Sequence, residues 1–149
     1  MIHEYRKGVK VQLLKSFTSL EFDCHGNDCS ITYIDDNLVT LLQRIRDHFD
    51  KPLIITSGYR CKAHNAAVKG GTNSYHMRGM AADIVVQGVS TAEVAKYAES
   101  IGVKGIGLYS SFVHVDTRTN KFYWETSWQR QVQTFGGHPV QPCFMNPLT

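Results

Sequence analysis

The sequence contains no long apolar run and no concentration of charge of one sign. Its N-terminal stretch, MIHEYRKGVKVQLLKSF, lacks the uninterrupted apolar core of a signal peptide, and no later segment reaches the length of a membrane span. The 16 basic and 13 acidic residues give a net charge of +3, and the basic residues are scattered along the chain. We therefore expect a soluble protein with no membrane insertion and no nucleic-acid partner.

Cysteine is scarce, with four residues in a chain of 149. This even number permits disulfides, but its density is far below that of a small secreted domain stapled by such bonds. Cys24 and Cys29 flank His25 and Asp28 in DCHGNDC, a spacing that zinc sites use, yet no matching second pair follows. A structural metal, a disulfide and buried free thiols therefore all stay open for these two residues, as does the state of Cys61 and Cys143.

Internal repeats, low-complexity tracts and linkers rich in glycine or proline are absent as well. We therefore expect a single domain over residues 1–149. The C-terminal segment, residues 127–149, contains GGHPVQPCFMNPLT and is expected to wrap the surface of that domain.

The first half of the chain carries helical periodicity. IDDNLVTLLQRIRDHF places apolar residues at helical spacing, with Asp35 or Asp36 available as the N-cap. The apolar run PLIIT predicts a buried strand at residues 53–56. SGYRCKAHNAAVKGG predicts a turn followed by one short helix around residues 61–68, whereas GTNSYHMRG is too polar and flexible for regular structure.

The second half is dominated by short strands. MAADIVV predicts one strand, and STAEVAKYAESIG carries the capping pair Ser90 and Glu93 ahead of a helix. Three runs rich in β-branched and aromatic residues follow, KGIGLYS, SFVHVDTR and KFYWET, and residues 119–121 suit a hairpin turn between the last two. Together these elements predict an α+β domain in which helices pack on one side of a small, mainly antiparallel sheet.

Metal-ligating side chains occur in two of these segments. SYHMRGMAAD sets His76 and Asp83 around small and flexible residues. In SFVHVDTR the period of a strand puts His114 and Asp116 on one face and β-branched residues on the other. Catalytic zinc takes three protein ligands and keeps a fourth position for water. His76, Asp83 and His114 make such a set, and imidazole with carboxylate suits zinc better than magnesium.

Three linked motifs resemble those of the zinc D-alanyl-D-alanine carboxypeptidase family: SGYR at 57–60, SYHMRGMAAD at 74–83 and FVHVD at 112–116. Relatives in that family include the vancomycin-resistance D,D-dipeptidases and the phage L-alanyl-D-glutamate endolysins, with the hedgehog signalling domain more distant. The resemblance covers a core of about residues 17–126 and looks closest to a compact subgroup of phages and gut bacteria. It implies a fold like that of the hedgehog domain and the D,D-peptidases.

The resemblance also implies roles for individual residues. His76, Asp83 and His114 would bind one catalytic Zn²⁺. Arg60 would lie beside the ion as a catalytic and substrate-binding group, able to hold a carboxylate or a developing oxyanion. Ser74 would contact the peptide substrate.

The expected general base is the one departure from the family pattern. Several members place an acidic residue three positions before the last zinc histidine, where this chain has Ser111, and a serine cannot accept a proton at neutral pH. Asp116, on the same strand face as His114, is the substitute candidate for a catalytic base or for a partner that orients His114. The sequence does not separate these two roles.

Two further assignments stay open. The aromatic residues of the last strands are expected to be mainly core, with Tyr109 the one most suited to contact substrate. His64 fits either a place in the site or a structural bond to the loop at residues 70–75.

The sequence thus predicts a monomeric zinc metallopeptidase that acts at the bacterial cell wall. Its partner would be the peptidoglycan stem peptide, cut by a D,D-carboxypeptidase or endopeptidase reaction such as that of a phage endolysin. The alternative is a zinc-stabilised module that binds cell wall or peptide without turnover, and Ser111 is the feature that favours it. Which bond is cut, and whether the chain is of phage or bacterial origin, are not specified by these motifs.

Overall fold

A computed structural model describes residues 1–126 and three two-residue strands beyond them. The elements follow the chain in this order: β1 Ile2–Arg6, β2 Gln12–Leu14, β3 Phe17–Thr18, a 3₁₀ helix Ser19–Phe22, β4 Ile31–Asp35, α1 Asp36–Phe49, β5 Leu53–Ser57, α2 Lys62–Ala67, a 3₁₀ helix Tyr75–Arg78, β6 Ala81–Val86, α3 Thr91–Ser100, β7 Gly105–Leu108, β8 Val113–Asp116, β9 Phe122–Glu125, β10 Thr134–Phe135, β11 His138–Pro139 and β12 Gln141–Pro142.

Six strands form the main sheet, in the order β12, β9, β7, β8, β6, β5. The pairs β5–β6, β6–β8 and β7–β8 are antiparallel, whereas β9 runs parallel to β7 and β12 runs parallel to β9. The pairs β1–β4, β2–β3 and β10–β11 form separate two-stranded sheets. The predicted α+β class with a mainly antiparallel sheet is confirmed.

Helices α1 and α3 pack against one face of the main sheet. Leu42 and Ile45 of α1 are fully buried there, and Val113 and Val115 of β8 belong to the same apolar core. Burying each such aliphatic side chain stabilises the fold by roughly 1.5–3 kcal/mol. The opposite face of β8 carries His114 and Asp116, as the alternation in the sequence predicts.

Both predicted helix starts are confirmed. The carboxylate of Asp35 accepts a hydrogen bond from the Asn37 N–H at 3.1 Å, and the Ser90 hydroxyl accepts one from the Glu93 N–H at 3.2 Å. These side chains satisfy N–H groups that a helix end otherwise leaves without a partner.

Asp35 also ties α1 to two other parts of the fold. Its carboxylate accepts a hydrogen bond from the Thr117 hydroxyl at 2.7 Å, just beyond the end of β8, and its N–H donates to the Gly79 carbonyl at 2.8 Å. Gly79 has φ +73°, and a Cβ there would lie 2.4 Å from the Tyr33 carbonyl oxygen, so only glycine fits this turn. The start of α1 therefore holds the end of β8 and the turn after the second 3₁₀ helix.

Three predictions about local structure are wrong in part. The strand at 53–56 forms, but among the described strands β5 lies at the sheet edge and pairs with β6 alone, and Ile54 is 54% exposed rather than buried. The hairpin at 119–121 is absent because β8 already lies between β6 and β7, so β9 pairs with β7 instead. The polar segment GTNSYHMRG contains the 3₁₀ helix Tyr75–Arg78 rather than only irregular chain.

The predicted wrapping of residues 127–149 lies outside the described residues, apart from the three short strands, and Cys143 lies outside them as well. Within the described part of the chain, the helices are all too short or too polar to cross a membrane.

Candidate active site

The fold brings together the three side chains predicted as metal ligands. His76 lies on the 3₁₀ helix Tyr75–Arg78, where its N–H donates to the Ser74 hydroxyl at 3.2 Å. Asp83 and His114 are direct partners across the β6–β8 ladder. Asp83 Oδ1 lies 3.2 Å from His76 Nε2 and 3.1 Å from His114 Nδ1, and all three side chains are almost completely buried. We call these three residues the triad.

The hydrogen bonds of His76 leave its Nε2 available to bind a cation. Its Nδ1–H donates to the Gly58 carbonyl at 2.7 Å, and burial lowers the pKa of His76, so the ring is neutral and Nε2 carries a lone pair. Burial disfavours the charged form of Asp83, but its contacts with the two imidazole rings hold the pKa of its carboxyl well below the usual range. Two acceptor atoms, His76 Nε2 and Asp83 Oδ1, therefore face each other 3.2 Å apart.

The spacing of the triad also fits a tetrahedral metal ion. Ligand atoms about 2.0–2.1 Å from a tetrahedral zinc are about 3.3 Å from one another. The two distances from Asp83 Oδ1, 3.1 and 3.2 Å, are close to that value. The donor set and its geometry are thus compatible with a bound divalent cation.

Asp116 lies on the far side of the His114 ring from Asp83. Its Oδ2 accepts a hydrogen bond from His114 Nε2–H at 2.7 Å, which leaves Nδ1 directed at Asp83. Arg118 binds the same carboxylate through its backbone N–H at 3.1 Å, Nε at 2.8 Å and Nη2 at 2.6 Å. Burial opposes ionisation of Asp116, but Arg118 and His114 hold the pKa of its carboxyl well below the usual range.

Strand β7 makes room for this carboxylate. Gly105 is paired with Asp116 in the β7–β8 ladder, and a Cβ at Gly105 would lie 1.9 Å from Asp116 Oδ1. Gly107 is paired with His114, and a Cβ there would lie 2.5 Å from the Trp124 ring. The two glycines therefore let Asp116 and Trp124 pack beside His114.

Arg60 is the buried cation next to the triad. Its Nη2 donates to Asp83 Oδ2 at 3.3 Å, its Nε to the Ser57 hydroxyl at 3.1 Å and its Nη1 to Asn65 Oδ1 at 3.4 Å. Asn65 in turn donates to the Gly71 carbonyl at 3.0 Å. A guanidinium has five N–H groups, so two of those on Arg60 have no hydrogen-bond partner among the described residues.

A cleft of about 190 Å³ opens at His114. Ser74, Tyr75, Phe122 and Trp124 are among the residues that line it. Arg118 lies over the Tyr75 ring at 4.5 Å from its centroid, and the Trp124 ring lies 4.9 Å from the His114 ring. An apolar wall with a few polar groups beside a buried charged centre is the arrangement expected of a small-ligand site.

Comparison with known proteins assigns the family. The family model described as peptidase M15 matches residues 15–116, which is more than half of the chain. This chain belongs to the peptidase M15 family. The match confirms the relationship that the three sequence motifs indicated.

Two curated relatives of this M15 chain carry related names. The peptidoglycan L,D-endopeptidase MepK of Escherichia coli is 33% identical over an alignment 96 residues long, and the match covers 58% of this chain and 53% of that protein. The probable peptidoglycan L,D-endopeptidase MepK of Haemophilus influenzae is 31% identical over an alignment 121 residues long, and the match covers 74% of this chain and 64% of that protein. The chain therefore spans about half the length of the first relative and under two-thirds of the second.

Several neighbours of the triad in this M15 chain were not singled out from the sequence. Asn65, which holds Arg60, and the Gly58 carbonyl, which holds His76, make their contacts through tertiary structure, and no local pattern marks them. Neither role considered for His64 is seen among the described contacts, because its ring packs against Gly26 and lies 6.2 Å from the His25 ring. Asn65, one residue later, makes the bond to the glycine loop instead.

Ser111, Tyr109 and Ser74 occupy three different environments around the site. Ser111 is exposed in the turn before β8. Tyr109 is 7% exposed, its ring stacks on Phe112 at 4.2 Å between centroids, and its hydroxyl accepts a hydrogen bond from Trp124 Nε1 at 3.0 Å. Ser74 lines the cleft and begins the 3₁₀ helix that carries His76.

Proposed function

We propose that this chain is a zinc-dependent peptidase that cuts a peptide bond in the stem peptides of bacterial peptidoglycan. The observation that carries the proposal is the buried triad, in which the ligand atoms of two imidazoles and one carboxylate lie within 4.8 Å of one another and the two distances from Asp83 are close to those of a tetrahedral site. Membership of the M15 family supports a metal-dependent hydrolysis. The names of the two relatives support peptidoglycan as the substrate and the cell wall as the place of action.

His76, Asp83 and His114 would hold the ion through Nε2, Oδ1 and Nδ1, the atoms that face one another. A bound zinc supplies Lewis-acid polarisation of the scissile carbonyl. The protein fixes the ligands beforehand, because the Gly58 carbonyl orients His76, Arg60 orients Asp83 and Asp116 orients His114. Such preorganisation avoids the cost of ordering the ligands when the ion binds.

We propose that Asp116 is a positioning residue rather than the general base. Its carboxylate is fully buried behind the His114 ring and accepts four hydrogen bonds, one from His114 and three from Arg118. This environment supports the second of the two roles that the sequence left open. With a metal ion bound, it would keep the proton of His114 on Nε2 and leave the lone pair of Nδ1 to the ion.

Arg60 is proposed to act on substrate as well as on Asp83. Its two N–H groups without partners among the described residues lie beside the triad, where a planar cation can bind a substrate carboxylate or the oxyanion that develops on the scissile carbonyl. A well-placed donor of this kind contributes about 3–4 kcal/mol to the stabilisation of a transition state.

The cleft would hold the peptide on either side of the scissile bond. Ser74 lines it directly, whereas Tyr109 is proposed to act by fixing the indole of Trp124 in its wall. Because both relatives are named as L,D-endopeptidases, we favour an endopeptidase reaction at a bond between an L- and a D-residue over a carboxypeptidase reaction.

A binding module without turnover is the second candidate, and Ser111 favours it. Among the described residues, Asp83 is the carboxylate within the triad and Asp116 is the carboxylate that contacts it, and arginine binds both. A third carboxylate at position 111 is missing.

The two candidates differ in the products they release from cell wall. Purified peptidoglycan is incubated with the zinc-loaded protein, with His114→Ala and with a control, Lys51→Ala, which changes an exposed side chain outside the site. New stem-peptide fragments in the mass spectrum, formed by wild type and Lys51→Ala but not by His114→Ala, are the expected result. Sedimentation with peptidoglycan and no fragments from any of the three would support the binding module.

A further inference from the structure

Three cysteines converge in a second cluster on the far side of Arg60. Cys24 and Cys29 lie in the loop between the 3₁₀ helix Ser19–Phe22 and β4, and Cys61 precedes α2. The three Sγ atoms lie within 4.8 Å of one another, and those of Cys24 and Cys61 are 3.7 Å apart. Cys24 and Cys61 are buried, and Cys29 is half-buried.

The spacing of these sulfurs suits a metal with thiolate ligands. Sulfur ligands about 2.3 Å from a tetrahedral zinc are about 3.75 Å apart. The 3.7 Å separation of Cys24 and Cys61 meets that requirement without any movement. Cys24 and Cys29 are separated by four residues, a spacing that zinc-binding loops use.

Hydrogen-bond donors surround two of the three sulfurs. The N–H groups of Gly26 and Cys61 both donate to Cys24 Sγ, at 3.4 and 3.5 Å. The ammonium of Lys7 lies 3.8 Å from Cys29 Sγ and also donates to the Gly26 carbonyl. Backbone N–H groups stabilise the thiolate form of Cys24 that a metal requires. Burial and the neighbouring thiols raise the pKa of Cys29 to about 12, so the binding of a metal would have to displace the proton from that thiol.

We propose that Cys24, Cys29 and Cys61 bind a second zinc ion, separate from the triad. The described part of the chain supplies three of the four ligands of a tetrahedral ion. Three thiolates select a soft or borderline cation such as zinc over magnesium or calcium. A disulfide between Cys24 and Cys61 would use only two of the three converging sulfurs.

This ion would fasten the N-terminal loop to the segment that supports the triad. The Tyr59 N–H donates to the Phe22 carbonyl at 2.8 Å, and a Cβ at Gly58 would lie 2.7 Å from Phe22 Cα, so the two segments are already in contact. Gly58 and Arg60 orient two members of the triad, and Cys61 is the next residue in the chain. The second zinc is therefore a structural ion that fixes the backbone segment to which Arg60 belongs.

The test counts metal ions and identifies their ligands in the reduced, zinc-loaded protein. We expect two zinc ions per chain in wild type, one in Cys29→Ser or Cys61→Ser, and one in His114→Ala. With Co²⁺ in place of zinc, the thiolate charge-transfer band should be present in wild type and His114→Ala and lost in Cys61→Ser. The cobalt band and the loss of one zinc ion in Cys61→Ser depend neither on the triad nor on peptidase activity, so failure of the proposed function would leave these two readouts unchanged.

A second measurement uses wild type alone, in case a serine variant does not fold. Alkylation is followed cysteine by cysteine with peptide mass spectrometry, with zinc and after chelation. We expect Cys24, Cys29 and Cys61 to be protected by zinc and to react after its removal. Three results would each overturn the proposal. The first is one zinc ion per chain in both wild type and Cys61→Ser, and the second is equal alkylation of the three cysteines with and without zinc. The third is a Cys24–Cys61 disulfide in the protein isolated without reductant.

Discussion

Replacing Asp116 by asparagine tests whether this residue positions His114 or acts as the base. The side chain keeps its shape, so the fold should survive. The amide NH₂ cannot accept the hydrogen bonds that the carboxylate takes from His114 Nε2 and from Arg118. If the amide NH₂ faces His114, the imidazole proton moves to Nδ1, the atom proposed to bind the metal.

The magnitude follows from the role of such partners in metal sites. Loss of a group that orients a ligating histidine lowers metal affinity or activity by about 10–100-fold, which corresponds to about 1.4–2.7 kcal/mol. We therefore expect the zinc Kd of Asp116→Asn to rise by that factor, and excess zinc to restore part of the turnover.

The assay combines competition with a chromophoric chelator and cleavage of peptidoglycan at several zinc concentrations. Circular dichroism of the variant serves as the control for folding. An unchanged zinc Kd together with turnover that zinc does not restore would show that Asp116 acts in the chemical step, and our reasoning about its position would be refuted.

Three further outcomes are expected. Gly105→Ala places a Cβ 1.9 Å from Asp116 Oδ1 and should weaken zinc binding like Asp116→Asn; an unchanged Kd from the same chelator competition would contradict this. Arg60→Lys keeps the charge but loses the planar fork, so kcat/KM for stem peptides should fall by about a hundredfold or more with the triad's zinc retained; a change below a few-fold would remove Arg60 from the reaction. Removal of zinc by chelation should lower the melting temperature, since an ion present at 100 times its Kd stabilises the folded protein by about 2.7 kcal/mol; identical melting curves with and without chelator would argue against a bound metal.

The triad could be predicted from sequence because local periodicity and one strand pairing are enough to build it. Alternation along β8 puts His114 and Asp116 on one face, and the ladder with β6 sets Asp83 opposite His114. The short segment between Ser74 and Gly79 is enough to bring His76 next to Asp83.

The features that sequence reasoning missed depend on contacts between distant segments. No local pattern shows that the loop carrying Cys24 packs on Cys61, because the two cysteines are 37 positions apart in the chain. The hairpin between β8 and β9 is predicted from turn residues alone. In the sheet, however, β8 has β6 on one side and β7 on the other, so β9 pairs with β7. The buried strand at 53–56 was predicted from an apolar run that lies at a sheet edge, where one face is exposed.

The buried carboxylate of Asp35 has a consequence for engineering of this scaffold. This carboxylate caps α1 and accepts a hydrogen bond from the hydroxyl of Thr117, the residue after Asp116. The backbone N–H of Asp35 donates to the carbonyl of Gly79, three residues after His76. Substitutions in the first turn of α1 that disturb Asp35 would therefore shift two of the segments that carry the triad. Thermostable variants of this protein are better sought at the far end of α1 and along α3.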